Sequence, residues 1–158
     1  MTDAARPVAV VDTSFWSIAV RIGLVRLLLA EFALAVPPAV REEILNEDPR
    51  RPRSRSDHQD VFLEIEPELV ALPNPEPHPI AGLDVGEASV TACAQALGVI
   101  ALINERRGKR VAAALGVATI DVAQVVVLLV ADGRLTVPAA RGLLTRIRKL
   151  SSTVRCPG

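Results

Sequence analysis

A chain of 158 residues fits one domain and does not ask for two, and an apolar half with only 3% aromatic residues calls for a core of Val, Leu, Ile and Ala. Eighteen basic residues balance eighteen acidic ones, which excludes a whole-molecule field for nucleic acid or anionic membranes and confines any such attraction to local patches. The two cysteines, Cys93 and Cys156, are too few and too far apart for a disulfide framework, which suits a reducing, cytoplasmic compartment.

Near the start, Asp3 and Asp12 flank a short apolar stretch without the basic opening of a signal peptide, so export is not expected. Residues 7–12 (PVAVVD) form an apolar run that ends in a carboxylate, the pattern of a strand buried on both faces. Ile18, Ile22, Val25 and Leu29 then fall at helical spacing, which predicts one helix over 14–30 with Thr13 or Ser14 as cap. A second short strand at 32–36 is closed by Pro37 and Pro38, and residues 39–46 (AVREEILN) read as a helix. From 47 to 57 the chain turns to Pro and Arg, the composition of an exposed, mobile loop. A short helix at 61–65 and a third strand at 69–72 lead into the proline-rich stretch 73–79.

An alanine-rich helix over 86–97 ends at Gly98, and the fourth strand, 99–103, runs into Asn104. Residues 105–115 make a helix with a basic start, closed by Gly116, before a fifth strand at 117–120 that ends at Asp121. Helices over 122–131 and 138–150 complete the chain. The first is only half the roughly 20 residues that span a bilayer, so no membrane segment is expected. The alternation predicts a single domain over 1–158, a three-layer α/β/α sandwich whose central parallel sheet has about five strands. Ligands in such sheets bind beyond the carboxyl ends of the strands, where Asp12, Asn104 and Asp121 stand.

A carboxylate at the end of a buried strand is costly unless hydrogen-bonded, paired or bound to a cation, although capping the next helix explains Asp12 equally well. Glu43 lies one turn into the helix after the second strand, and Glu87 begins the helix before the fourth, so all three can face one edge of the sheet. Taken singly, Glu87 needs no role beyond its helix N-terminus and Glu43 none beyond a solvated face beside Glu42. Together, carboxylates with no compensating Lys are held most economically by a hard cation with oxygen ligands, Mg²⁺ or Mn²⁺.

Four segments in order, VVDTSFWSIAVRIGLVRLLL, VPPAVREEIL, GEASVTACAQALG and LINERRGKRVAAALGV, resemble the PIN-domain superfamily, in particular its prokaryotic branch related to VapC-type toxins. The likeness covers residues 8–135 apart from 47–79. It implies a Mg²⁺- or Mn²⁺-dependent ribonuclease with Asp12, Glu43 (Glu42 being the alternative) and Glu87 as catalytic metal ligands, and Ser14 ordering the site. The family's fourth acid is replaced here by Asn104, which stands open between a weak ligand and a helix cap. Glu105 and Asp121 are the carboxylates available to substitute; Asp121 is preferred, although capping the helix at Val122 would explain it.

The run ERRGKR places Arg106, Arg107, Lys109 and Arg110 beside the expected site, where they suit RNA phosphates, although a solvated helix face is the plainer meaning of such a run. Arg50, Arg51, Arg53 and Arg55 extend that expectation into the loop. His58 and His78 lack metal-ligand spacing and read as surface residues. No Gly-rich turn follows the first strand, Gly108 and Lys109 precede Arg110 rather than Ser or Thr, and Ser14 stands where an aspartyl phosphatase would want Asp, which sets aside three other α/β classes. The resemblance also implies a homodimer, RNA as substrate and an antitoxin protein covering the acidic site. The rival expectation is a catalytically weakened PIN-like module that binds RNA or a protein partner.

Overall fold

β-branched residues hold few side-chain rotamers and favour extended backbone, and Val8–Val11 accordingly forms the first strand, β1, buried along Ala9, Val10 and Val11. In this computed structural model, which describes residues 5–46, 57–71 and 79–153, β1 is flanked by β2 (Ala33–Ala35) and β3 (Ile100–Leu102), and β3 carries β4 (Thr119–Ile120) on its far side. All neighbours run parallel, in the order β2-β1-β3-β4, with Val10 opposite Ala35 and Val11 opposite Leu102. Among the described residues eight α-helices flank this sheet, so the molecule has the expected α/β/α layers.

The sheet has four strands among the described residues, not five. Val70 donates one backbone hydrogen bond to the Leu34 carbonyl at 2.9 Å, but a 3-10 turn occupies Glu66–Glu68 and only residues 69–71 follow it within the described chain. A single bond does not build a ladder. The helix expected over 14–30 is likewise two, α1 (Thr13–Arg21) and α2 (Val25–Glu31), bent by 120°. Gly23 between them takes a left-handed backbone, φ 71°, which ends the α1 pattern.

After β2, Pro37 is extended and Pro38 opens α3 (Pro38–Leu45), where a missing N–H costs nothing. The expected loop at 47–57 lies outside the described residues except at Asp57, where α4 (Asp57–Ile65) begins, earlier than expected. α5 (Val85–Leu97) leads to β3, α6 (Arg106–Ala114) joins β3 to β4, and α7 (Val122–Ala131) and α8 (Val137–Thr153) follow. All four aromatic side chains, Phe15, Trp16, Phe32 and Phe62, are buried. Trp16 of α1 meets Phe62 of α4 edge to face at 5.6 Å and donates its indole N–H to the His58 carbonyl at 3.0 Å, which ties α4 over the start of α1. Such a ring pair adds roughly 0.5–1.5 kcal/mol beyond its burial.

From β1 the chain moves to one side of the sheet and from β3 to the other, so the strand order reverses between these two central strands. Asp12 follows β1 directly, and its N–H donates to the Leu102 carbonyl of β3 at 3.0 Å. The two strand ends therefore open side by side at the switch point, where α/β sheets take their ligands.

Candidate active site

Asp12 is 3% exposed and caps α1: its Oδ1 accepts from the Thr13 N–H at 2.6 Å and its Oδ2 from the Ser14 hydroxyl at 2.9 Å. Burial raises its pKa to about 6; the Ser14 and Thr13 bonds oppose this, and the charges of Asp84 and Glu43 add to it. Ser14 thus holds the orientation of the first carboxylate. Thr13 reaches the second, its hydroxyl donating to Glu43 Oε2 at 2.7 Å.

Glu43 lies in the last turn of α3, and its carboxylate packs on the bare backbone of Gly86 in α5. A Cβ at Gly86 would stand 2.2 Å from Glu43 Oε1, so glycine is what lets the two helices bring their acids together. One residue on, Glu87 is 8% exposed and locked into a reciprocal cap: its N–H donates to Asp84 Oδ1 at 2.8 Å, and its Oε2 accepts from the Asp84 N–H at 3.3 Å. Burial pushes the Glu87 pKa up to about 7, helped by a hydrogen bond shared with the Glu105 carboxyl and by the charge of Asp84. Gly108 of α6 leaves room beside this acid, 3.8 Å from the Glu87 carboxyl carbon to where a Cβ would stand.

Three of the expected acids, Asp12, Glu43 and Glu87, are therefore brought together, joined by Asp84 and Glu105. Asp84 is new. Its signal was the Asp-x-x-Glu capping pattern in DVGE, which marks a helix start and places the two acids together. Glu105, rather than Asp121, is the carboxylate that joins Glu87. The Asp121 carboxylate is engaged elsewhere: it caps α7 through the Gln124 N–H at 2.8 Å and pairs with the Lys109 ammonium at 2.7 Å. Asn104 Oδ1 accepts from the Val122 N–H at 3.3 Å, so its oxygen serves the start of α7.

Arg106 and Arg110 border a cavity of about 530 Å³ on the β4 side of α6, with Asn104 and Asp121 in its wall. Arg107 projects instead towards the turn at Gly82, 3.9 Å from where a Cβ would stand. Arg50, Arg51, Arg53, Arg55, His78 and Cys156 lie outside the described residues, and Cys93 is buried in α5.

None of the ion pairs among the described residues involves Asp12, Glu43, Asp84, Glu87 or Glu105. Like charges gathered without a counter-ion, two of them with raised pKa values, make a donor set of the chemistry that hard divalent cations take. As the side chains stand, no three among the described residues are close enough to hold a metal ion, so a bound cation would require the exposed carboxylates of Glu43, Asp84 or Glu105 to swing inward.

A parallel α/β sheet with acids gathered at its switch point, outside the ion pairs among the described residues, defines an α/β domain with an acidic ligand site. The chain belongs to the PIN domain family, whose model matches residues 8–157, and PIN domains are generally nucleases that use divalent metals. No curated protein matches the chain.

Proposed function

We propose that the protein is a Mg²⁺- or Mn²⁺-dependent endoribonuclease of the PIN type. The observation that carries this reading is the meeting of Asp12, Glu43 and Glu87 at the switch point, with Asp84 and Glu105 beside them and, among the described residues, no ion pair to any of them. Their oxygens would hold the metal, which when bound activates water and offsets charge on the phosphoryl group. Thr13 and Ser14 fix the orientations of Glu43 and Asp12. Glu87, its pKa raised to about 7 and its carboxyl hydrogen-bonded to Glu105, can hold a proton near neutrality and exchange it with water at the site.

Asn104 keeps a structural role, as its oxygen already serves α7, so exchanging it for aspartate is not needed for activity. RNA as substrate, a homodimer and an antitoxin covering the acids are parts of the same proposal, suggested by the family resemblance, and a cytoplasmic location is suggested by the two separated cysteines.

The test is cleavage of end-labelled RNAs with Mn²⁺, with Mg²⁺ and with EDTA, by the parent, Asp12→Asn and Asn104→Asp. Metal-dependent cutting by the parent that disappears in Asp12→Asn is the expected result. Cutting only by Asn104→Asp would mean that the natural protein is a weakened enzyme. No cutting by any of them, with RNA still bound, would make it a binding module.

A further inference from the structure

α6 opens with Arg106, Arg107, Gly108, Lys109 and Arg110, and helical spacing divides these cations between two sides. Arg107 turns to Gly82, Arg106 and Lys109 border the cavity of about 530 Å³, and Arg110, between the two sides, lines both this cavity and the groove beside Ile80, with Ala113 one turn further leaving the first open. Arg106 and Arg110 are like charges one turn apart, an arrangement that destabilises a helix, and neither enters an ion pair among the described residues. Lys109 is held differently: Asp121 at 2.7 Å and the Gln124 side-chain oxygen at 3.3 Å fix its ammonium in the wall. Three cations against the one carboxylate of Asp121 leave the cavity positive. It is also far larger than a lone phosphate needs.

The cavity adjoins the acids through the chain that lines it. Asn104 lines it, and the next residue, Glu105, shares a hydrogen bond with Glu87; Gly108, on the same helix, is the residue that borders Glu87 from the other side. We propose that this cavity grips a backbone phosphate of a single-stranded nucleic acid next to the one presented to the acids, through the Arg106 and Arg110 guanidiniums. Their planar donor pairs match the two free oxygens of a phosphodiester, and the room beyond admits the attached sugar. Asp121 is then a positioning residue that holds Lys109 in place. The inference rests on the nuclease reading and adds to it where the strand runs.

The experiment follows fluorescence anisotropy of a short labelled single-stranded RNA in EDTA, where nothing is cut, over a series of salt concentrations. Arg106→Gln and Arg110→Gln should each lower the slope of log affinity against log salt by about 0.7, the value for one lost phosphate contact on a single strand. Arg107→Gln removes the same charge and should leave the slope unchanged. Equal effects of all three variants, or none from the first two, overturn the subsite. Cleavage with Mn²⁺ is read separately. A parent that cuts while the arginine variants bind normally loses the subsite and keeps the nuclease; an arginine-specific slope without any cutting does the reverse.

Discussion

Asp12 sits where a charge is least welcome, and the sign of its effect on stability follows. Its pKa in the folded protein, about 6, is above the ordinary 3.8, so the fold favours the protonated acid. The favourable contribution is fully present below the ordinary value and is lost as pH rises through about 6; Glu87, raised to about 7, acts in the same direction. Without metal, Asp12→Asn should therefore be more stable than the parent near pH 8, by on the order of 2 kcal/mol, with the gain largely gone near pH 4. Urea denaturation of both proteins in EDTA at the two pH values checks this, and a gain independent of pH would show that the burial cost is not electrostatic. Asp12 and Glu87 were legible in the sequence because one ends a strand and the other begins a helix, whereas Glu43, inside α3, was legible through the family resemblance. Asp84 was not, because a cap and a site residue look alike until the fold brings Asp12 close. Glu105 lost to Asp121 in the sequence because both follow strands, and only the position of Lys109 decides which is neutralised.

At the scale of elements, α3 and α5 must approach closely for Glu43 to meet the others, and Gly86 makes the approach possible. Gly86→Ala would put a methyl group where Glu43 Oε1 now stands, and the flexible end of the glutamate is what must move. We expect stability within about 1 kcal/mol of the parent, since alanine also favours the helix, and metal-dependent cleavage reduced roughly tenfold or more. Thermal melting and initial rates separate the two effects; an unchanged rate would remove Glu43 from the site. Most elements could be read directly. The 122–131 helix has the expected bounds, because an apolar run behind a capping Asp-x-x-Gln admits little else. The α1–α2 break was missed because helical spacing continues across Gly23, whereas the left-handed backbone there turns the chain. The supposed strand at 69–72 has apolar residues but, among the described residues, one ladder bond, a difference that periodicity does not record.

For the whole molecule, zero net charge conceals a division: acids at the ends of β1 and β3 that enter no ion pair among the described residues, and Arg106 and Arg110, likewise outside those ion pairs, bordering the cavity beside α6. Filling the acidic end with Mn²⁺ should stabilise the folded parent by about 2.7 kcal/mol at a hundred times its dissociation constant. Differential scanning fluorimetry should show that rise in Tm for the parent and none for Asp12→Asn; an equal rise in both would place the ion elsewhere. The sheet order also governs when the molecule becomes complete during its synthesis. β2 can join β1 as soon as Ala33–Ala35 is made, but the other edge of β1 waits for Ile100–Leu102, and Glu87 and Glu105 come with the same late portion of the chain. A growing chain therefore carries Asp12 and Glu43 without Glu87 and Glu105 until synthesis has passed β3, and the acids meet only once that strand has joined β1.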